Sequence, residues 1–431
     1  MYTREGQHMS RWGVILVTLW VGVLSGAAHA GDTRAAPPHR LEKQQTGVAQ
    51  EKPVKGQNLR HEVRCEKLDW DKFVKDSLPS DDEVQQLRQR AEQGDTDAQL
   101  RLGRIYESKN YAEAMQWYRR AADQGDAKAQ FILGVRYKRG SLKDAIIYPP
   151  NYAEAVQWYR RAADQGHVDA QFSLGLMYEV GYPDVSQDYT EAAKWYRRAA
   201  DQGHASAQFY LGFSYAHGEG VPQNYTAARQ WYLRAAAQGG TEAQNHLGAM
   251  YELGQGVPQD YAQAIAWYRR AADQGDASGQ LNLGFMYTQG HGVPQSYAKA
   301  AMWYQRAADH GNAAAQYFLG GIYIDGHGVP QDYAQAVTWY RRAADQGDAS
   351  AQLSLGFMYF DGRGVPQDFV QAHLWFNLAV ARHAPGATRD TAALNRDTVA
   401  HRMTPTQLAR AQELASQWLP HIETFARSSC P

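Results

Sequence analysis

Cysteine is nearly absent, with two residues in 431, Cys65 and Cys430. A disulfide needs Cα atoms within ~7 Å, and these two sit near opposite ends of the chain. No structural disulfide is expected unless the tails meet. Neither sign of charge predominates, with 44 Lys and Arg against 45 Asp and Glu. That balance lacks the basic footprint of a nucleic-acid binder. No apolar run approaches the ~20 residues of a membrane-spanning helix; the longest, Val14 to Leu24, has 11. There is no Gly-Lys pair and hence no P-loop, and no H-E-x-x-H or C-x-x-C, so the usual zinc spacings are missing. No cofactor or metal ligand set is expected.

The apolar run has another use. Arg4 and Arg11 precede it, and Ala28-His29-Ala30 follows, an A-x-A cleavage site before Gly31. Residues 1–30 therefore read as a secretory signal, with Met9 an alternative start. An uncleaved anchor from Trp12 to Ala30 is the rival reading. A periplasmic or secreted location is expected, with no membrane span after cleavage. Residues 31–80 are rich in Pro, Gln, Lys and Gly and lack periodicity, as a flexible linker would.

Aromatics, by contrast, are abundant, at 12% with 12 Trp and 27 Tyr. They recur in pairs: Trp117-Tyr118, Trp158-Tyr159, Trp195-Tyr196, Trp231-Tyr232, Trp267-Tyr268, Trp303-Tyr304, Trp339-Tyr340 and Trp375-Phe376. Successive Trp are 41, 37 and then 36 residues apart. Ala-Gln-x-x-Leu-Gly-x-x-Tyr precedes each pair, as at Ala351, Gln352, Leu355, Gly356 and Tyr359, with Gly279 replacing the Ala in the sixth copy. A fixed period of this size signals stacked supersecondary units.

Each unit reads as two helices. From Tyr333, apolar residues fall at Ala336, Val337, Tyr340 and Ala344, the spacing of one helical face. Asp332 is an N-cap candidate with Gln335 at N3, and Asn110 with Glu113 and Asn151 with Glu154 match a capping box. Gly347 suits a left-handed C′ position, and Asp348 caps the next helix. Gly-x-Gly-Val-Pro-Gln, five times between Gly218 and Gln367, separates the helices. Gly356 and its equivalents cost ~1 kcal/mol each inside a helix. The expected compensation is close approach of the preceding helix at Ala343 and Ala344, with Trp339 and Tyr340 filling the space between units.

These motifs, with W-Y-R-R-A-A-D-Q-G, resemble Sel1-like repeats, relatives of the tetratricopeptide repeat, over roughly residues 85–383. The resemblance implies an all-α fold, a right-handed α-solenoid of about eight helix-turn-helix repeats with helical caps. It also implies a scaffold or adaptor for protein complexes rather than an enzyme, often in the bacterial envelope or outside the cell. Cysteine-rich members are linked to penicillin binding and β-lactamase activity, but this chain lacks their repeat cysteines. A cell-wall glycan scaffold is a further alternative. The solenoid is expected over 81–383, with Asp81 to Gln93 as the N-terminal half-unit. The expected helical cap and tail cover 384–431, with helices over 386–403 and 405–418 and Thr404 to Gln407 as an N-cap signal.

Several candidate sites carry a structural alternative. Ser296-Tyr-Ala-Lys299 matches S-x-x-K, but Ser296 occupies an N-cap position. His291 and His327, like His167 and His204, recur at one loop position and read as solvent-exposed rather than as metal ligands. Arg119-Arg120, Arg341-Arg342 and their equivalents read as dipole partners at helix C-termini. The insertion from Lys138 to Pro150, with Ile146, Ile147 and Tyr148, is a loop or a partner contact.

Positions that change chemistry between copies are those the stack does not dictate. One such position of the first helix reads Arg101, Ile132, Ser173, Tyr210, His246, Asn282, Phe318, Ser354. Another reads Arg104, Val135, Leu176, Phe213, Ala249, Phe285, Gly321, Phe357, where inter-unit packing is the alternative. First helices of such solenoids line the concave surface. A partly aromatic groove is therefore expected, with Phe209, Tyr210, Phe213, Phe285, Tyr317 and Phe318 central, and aromatics are enriched in binding hot spots. Its expected occupant is a protein or peptide of unknown identity.

Overall fold

Short polar side chains start nearly every helix. Asp276 Oδ1 accepts the Gly279 N–H at 2.7 Å, and Asp348 Oδ1 that of Ala351 at 2.7 Å. Each satisfies one of the free N–H groups of a helix start. The structure, a computed structural model, describes residues 80–143, 146–383 and 386–428. Cys65, Cys430, the signal segment and almost all of the linker lie outside them. Nineteen α-helices occur among the described residues. The chain divides at Ala129 and Gln130 into two compact bodies, each described by itself.

Helix α1 (Asp81–Glu92) comes first and serves as half a unit. The first helices of the eight units are α2 (Thr96–Glu107), α4 (Ala127–Arg139), α6 (Val168–Val180), α8 (Ala205–His217), α10 (Thr241–Leu253), α12 (Ala277–Gln289), α14 (Ala313–Asp325) and α16 (Ala349–Asp361). Their second helices are α3 (Tyr111–Asp123), α5 (Tyr152–Asp164), α7 (Tyr189–Asp201), α9 (Tyr225–Ala237), α11 (Tyr261–Asp273), α13 (Tyr297–Asp309), α15 (Tyr333–Asp345) and α17 (Phe369–Arg382). The insertion of the second unit forms a short antiparallel hairpin, β1 (Ser141–Lys143) paired with β2 (Ile146–Tyr148). Its side chains lie outside the described set.

The capping boxes expected at Asn110 and Asn151 form only half. Asn110 Oδ1 accepts the Glu113 N–H at 3.2 Å, but its own N–H donates to the Tyr106 carbonyl at 2.7 Å, so Glu113 has nothing to cap. The Glu113 carboxylate instead accepts from Arg88 Nη2 at 2.6 Å. Reciprocal boxes form at the chain's two irregular ends. Ser80 pairs with Glu83, and Thr404 pairs with Gln407.

The helical glycines are explained differently from the sequence expectation. A Cβ on Gly356 would meet the Phe376 ring at 2.4 Å, and one on Gly248 the Tyr268 ring at 2.5 Å. The same holds for Gly175 and Tyr196, and for Gly320 and Tyr340. The ring that covers each glycine belongs to the second helix of the same unit, not to alanines of the preceding one. So the Tyr of each Trp-Tyr pair closes its own hairpin. The Trp joins units instead: Trp195 is buried with Tyr159 and Ala162 of the preceding second helix and with Leu174 and Met177.

A buried polar chain runs along the same seam. Gln208 Nε2 donates to the Ala200 carbonyl of the preceding unit at 3.2 Å, and Gln238 Nε2 donates to Gln208 Oε1 at 2.9 Å. Gln171 with Gln202, Gln244 with Gln274 and Gln316 with Gln346 repeat it. Thus the glutamines of A-Q and of D-Q-G are spent on satisfying backbone and each other, and in the sixth unit His310 Nδ1 stands 3.2 Å from Gln280 Oε1 in place of the second glutamine. In the last unit Arg382 replaces the second glutamine, and buried Gln352 Oε1 has no partner among the described residues.

Beyond α17 lie α18 (Ala387–Ala400) and α19 (Pro405–Ser428), the latter ten residues longer than the sequence suggests. Pro405 follows Phe369 at the same 36-residue interval, so the pair is a ninth hairpin without the motif. Val399 packs with Phe376, and Trp418 meets Trp375 edge-on at 5.7 Å.

Candidate interaction surface

The arginine pairs are locked in place. Arg161, Arg198, Arg234, Arg270, Arg306 and Arg342 each stack on the Trp three residues earlier at 4.4–4.6 Å. The preceding Arg reaches the next unit: Arg160 Nη2 donates to Tyr178 Oη at 2.5 Å and Arg341 to Tyr359 at 2.6 Å. The Trp-stacked arginines stand in the last turns of their helices, as the sequence predicts, so the ring contacts add to the dipole placement. The loop histidines also prove partly structural. His167 and His204 are half-buried N-caps whose Nδ1 accepts from Ala170 and Ala207, with Phe131 and Phe172 stacked on them. His291 is half-buried on Tyr261, whereas His327 is exposed. Ser296 Oγ accepts the Lys299 N–H at 3.3 Å and acts as a cap. No group of side chains suited to a metal ion occurs among the described residues.

The first helices carry the candidate surface. Neighbouring first helices meet through aromatic rings: Phe172 lies 5.7 Å from Tyr210, and Phe209 lies 5.4 Å from both Tyr210 and His246. Tyr196 lies 5.3 Å from Tyr210, and Tyr232 stacks on His246 at 5.2 Å. Phe213 is buried and stacks on His217 at 3.9 Å. Burial, aided by the His217 charge, pushes the His246 imidazole down to about 4. Tyr317 and Phe318 pair at 5.5 Å and rest on Tyr340 and Tyr304 as a second cluster. Phe285 meets His291 edge-on, and Phe357 is claimed by Phe376 and the terminal helices. Ile132 and Asn282 are half-buried; Arg101 is exposed and paired with Asp97 at 2.9 Å, and Arg104 is exposed.

One packing rule that sequence reading missed governs part of this series. Each buried Tyr hydroxyl needs a partner. Glu107, Glu252 and Thr288 supply it from the first helix of the same unit, at 2.6, 2.6 and 3.1 Å, and Glu179 does so for Tyr196. Burial raises the Glu179 and Glu252 carboxyls above the ordinary range. Where that residue is Lys138 or Ile324, Ser173 or Ser354 of the following unit offsets part of the burial that raises the Tyr159 or Tyr340 hydroxyl, and Ser354 does the same for Tyr317. Those two serines therefore belong to the scaffold. Comparing the residue after Tyr137, Tyr178 and Tyr323 with the variable position one unit later would have revealed the exchange. In the fourth unit the residue is Ala216, and the Tyr232 hydroxyl, 1% exposed as a residue, has no partner among the described residues.

Charge segregates between the two helix rows. Residues 168–188, 205–224, 241–260, 277–296 and 313–332, the first helices and loops of five units, contain ten Asp or Glu and no Lys or Arg. The second helices α5 to α15 carry two or three Lys or Arg each.

The repeat geometry agrees with a family. The Sel1 repeat profile matches eight consecutive segments from residue 96 to residue 382, and the chain belongs to the Sel1 repeat family. A Sel1 repeat protein from Oxalobacter formigenes is 35% identical over 81% of this chain and 98% of its own, with a TM-score of 0.64. A protective antigen of uropathogenic Escherichia coli strains, displaying an SLR fold, is 31% identical over 80% of this chain and 96% of its own, with a TM-score of 0.47. No curated protein matches the chain. Sel1 repeat proteins are protein-interaction scaffolds, and no helix among the described residues is long and apolar enough to cross a membrane.

Proposed function

We propose that this chain is an exported scaffold that holds an extended peptide or helix of a cell-envelope or extracellular protein on its first-helix face. The supporting observation is the ring run Phe172, Tyr210, Phe209 and His246, which crosses three successive first helices at positions not fixed by the repeat. Stacked repeats provide extended surface rather than enclosed cavities, which suits a long ligand. Residues 1–30 support export by their basic residues, short apolar run and A-x-A site.

The test is in-cell cross-linking of the native chain against a variant carrying Tyr210→Ala and Phe318→Ala. Loss of captured proteins with an unchanged circular dichroism spectrum is expected. Undiminished capture by the folded variant refutes the surface. Fractionation of cells tests export, which a cytoplasmic pool of full-length chain would overturn.

A further inference from the structure

The body that ends at Ala129 holds an open cleft of about 340 Å³ between α1 and α3. Arg88 and Glu92 line it from α1, and Glu113, Trp117 and Arg120 from α3. The same register positions between α5 and α7 are Arg160, Asp164, Glu191, Trp195 and Arg198. There the groups satisfy one another. Glu191 Oε1 accepts the Trp195 indole N–H at 3.1 Å, and Asp164 Oδ1 pairs with Arg198 Nη1 at 3.4 Å. Between α1 and α3 both links are open. Glu113 is drawn to Arg88 Nη2 at 2.6 Å, and the indole N–H of Trp117, a residue 5% exposed, has no partner among the described residues. Nor has the buried Nε of Arg88. Arg120 is held over the Trp117 ring at 4.6 Å, and neither it nor Glu92 makes an ion pair among the described residues. Trp158, Trp339 and Trp375 also have an unpartnered indole N–H, so the indole by itself singles out nothing. In this cleft it coincides with a second orphaned N–H and with one unneutralised charge of each sign.

We propose that this cleft binds a small zwitterion, a free amino acid or a short peptide. Its carboxylate lies among the Arg120 guanidinium and the N–H groups of Trp117 and Arg88, and its ammonium faces Glu92. Both orphaned groups are donors, so what enters must be an acceptor. A buried donor without a partner costs free energy that an acceptor restores, and a carboxylate on a guanidinium is the strong form of that bond. Arg88 and Glu113 neutralise each other, which leaves Arg120 and Glu92 to the ligand. A molecule of one sign would answer only one of them. The volume lies near the lower end of small-molecule sites, roughly 300–1,000 Å³, which suits one or two residues rather than a folded segment. The proposal does not draw on the first-helix face, since α1 and α3 occupy second-helix positions.

The experiment follows the Trp117 indole N–H signal by nuclear magnetic resonance in the isotope-labelled full chain, assigned by its loss in Trp117→Phe. Glycylglycine should move this signal downfield and saturably, as a hydrogen bond forms, while the other indole signals stay in place. N-acetylglycylglycine, which keeps only the carboxylate, should bind about fivefold more weakly, as for a lost exposed ion pair. Glycylglycine amide, which keeps only the ammonium, should not move the signal. Arg120→Gln should weaken glycylglycine about tenfold, as for a charged hydrogen bond. Glu92→Gln should weaken it about fivefold and leave the acetylated dipeptide unaffected. The unmoved indole signals of both variants report that the fold persists. Absence of a saturable shift, a shift shared by all the indoles, or equal binding of either blocked dipeptide overturns the proposal.

Discussion

Two adjacent glycines in α14 should respond in opposite ways to the same substitution. A methyl group on Gly320 would stand 2.6 Å from both Cδ1 and Cε1 of Tyr340, whereas one on Gly321 would find only the Tyr340 hydroxyl, at 3.8 Å. Carbon atoms rest at about 3.5–4.0 Å, so Gly320→Ala must push the ring back by roughly 1 Å. Tyr340 is 6% exposed and lies against Tyr317, so it has nowhere to go. Overpacking of this kind costs about 1–3 kcal/mol, and ejecting a ring belongs at the upper end. The helix itself gains ~1 kcal/mol from replacing glycine by alanine, leaving Gly320→Ala destabilised by about 2 kcal/mol. Gly321→Ala keeps the whole gain and should be stabilised by about 1 kcal/mol. Urea unfolding followed by far-ultraviolet circular dichroism reads the difference. Hydrogen exchange should localise it to α14 and α15, since each unit touches only its neighbours. If Gly320→Ala stabilises as much as Gly321→Ala, the tyrosine-on-glycine closure of the hairpin is wrong.

The tyrosine hydroxyls allow a second paired comparison. Tyr232→Phe removes a buried hydroxyl without a partner and should be neutral or stabilising, while Tyr268→Phe strands the half-buried Glu252 and should cost about 1–3 kcal/mol; equal effects in thermal melts would contradict the assignment. His246 makes stability depend on acid. Its native pKa of about 4 lies below the ordinary 6.5, so the unfolded chain takes up the proton first. The contribution is complete above pH 6.5 and is lost as pH falls towards 4, by about 3 kcal/mol in all. His246→Asn should flatten the stability curve over that window relative to the native chain, and parallel curves would refute it.

Periodicity alone made the architecture legible. The Trp-Tyr pairs, the glycine turns and the polar caps are local signals, read along one helix or one loop, and each appears in the structure where the spacing puts it. The A-Q glutamine of every unit and the D-Q-G glutamine of most are visible in the repeat, but their pairing across units is not, because donor and acceptor lie about 30 residues apart. Gly356 was read as small packing against small, since helix propensity tells only that a cost exists and not which atom offsets it. The candidate surface was legible as variation between copies, yet variation has two sources. At Ser173 and Ser354 it answers a neighbour's tyrosine, while at Tyr210 and Phe318 the hydroxyls behind are already satisfied by Glu179 and Thr288. Repetition in the chain dictated a stack of helical hairpins, because a pattern of one helical face needs no knowledge of its partner. Which residues close the hairpin, which join units and which are left over was decided by tertiary contact. Hydrogen bonds and ring contacts act over a few ångströms between atoms that sequence distance does not relate.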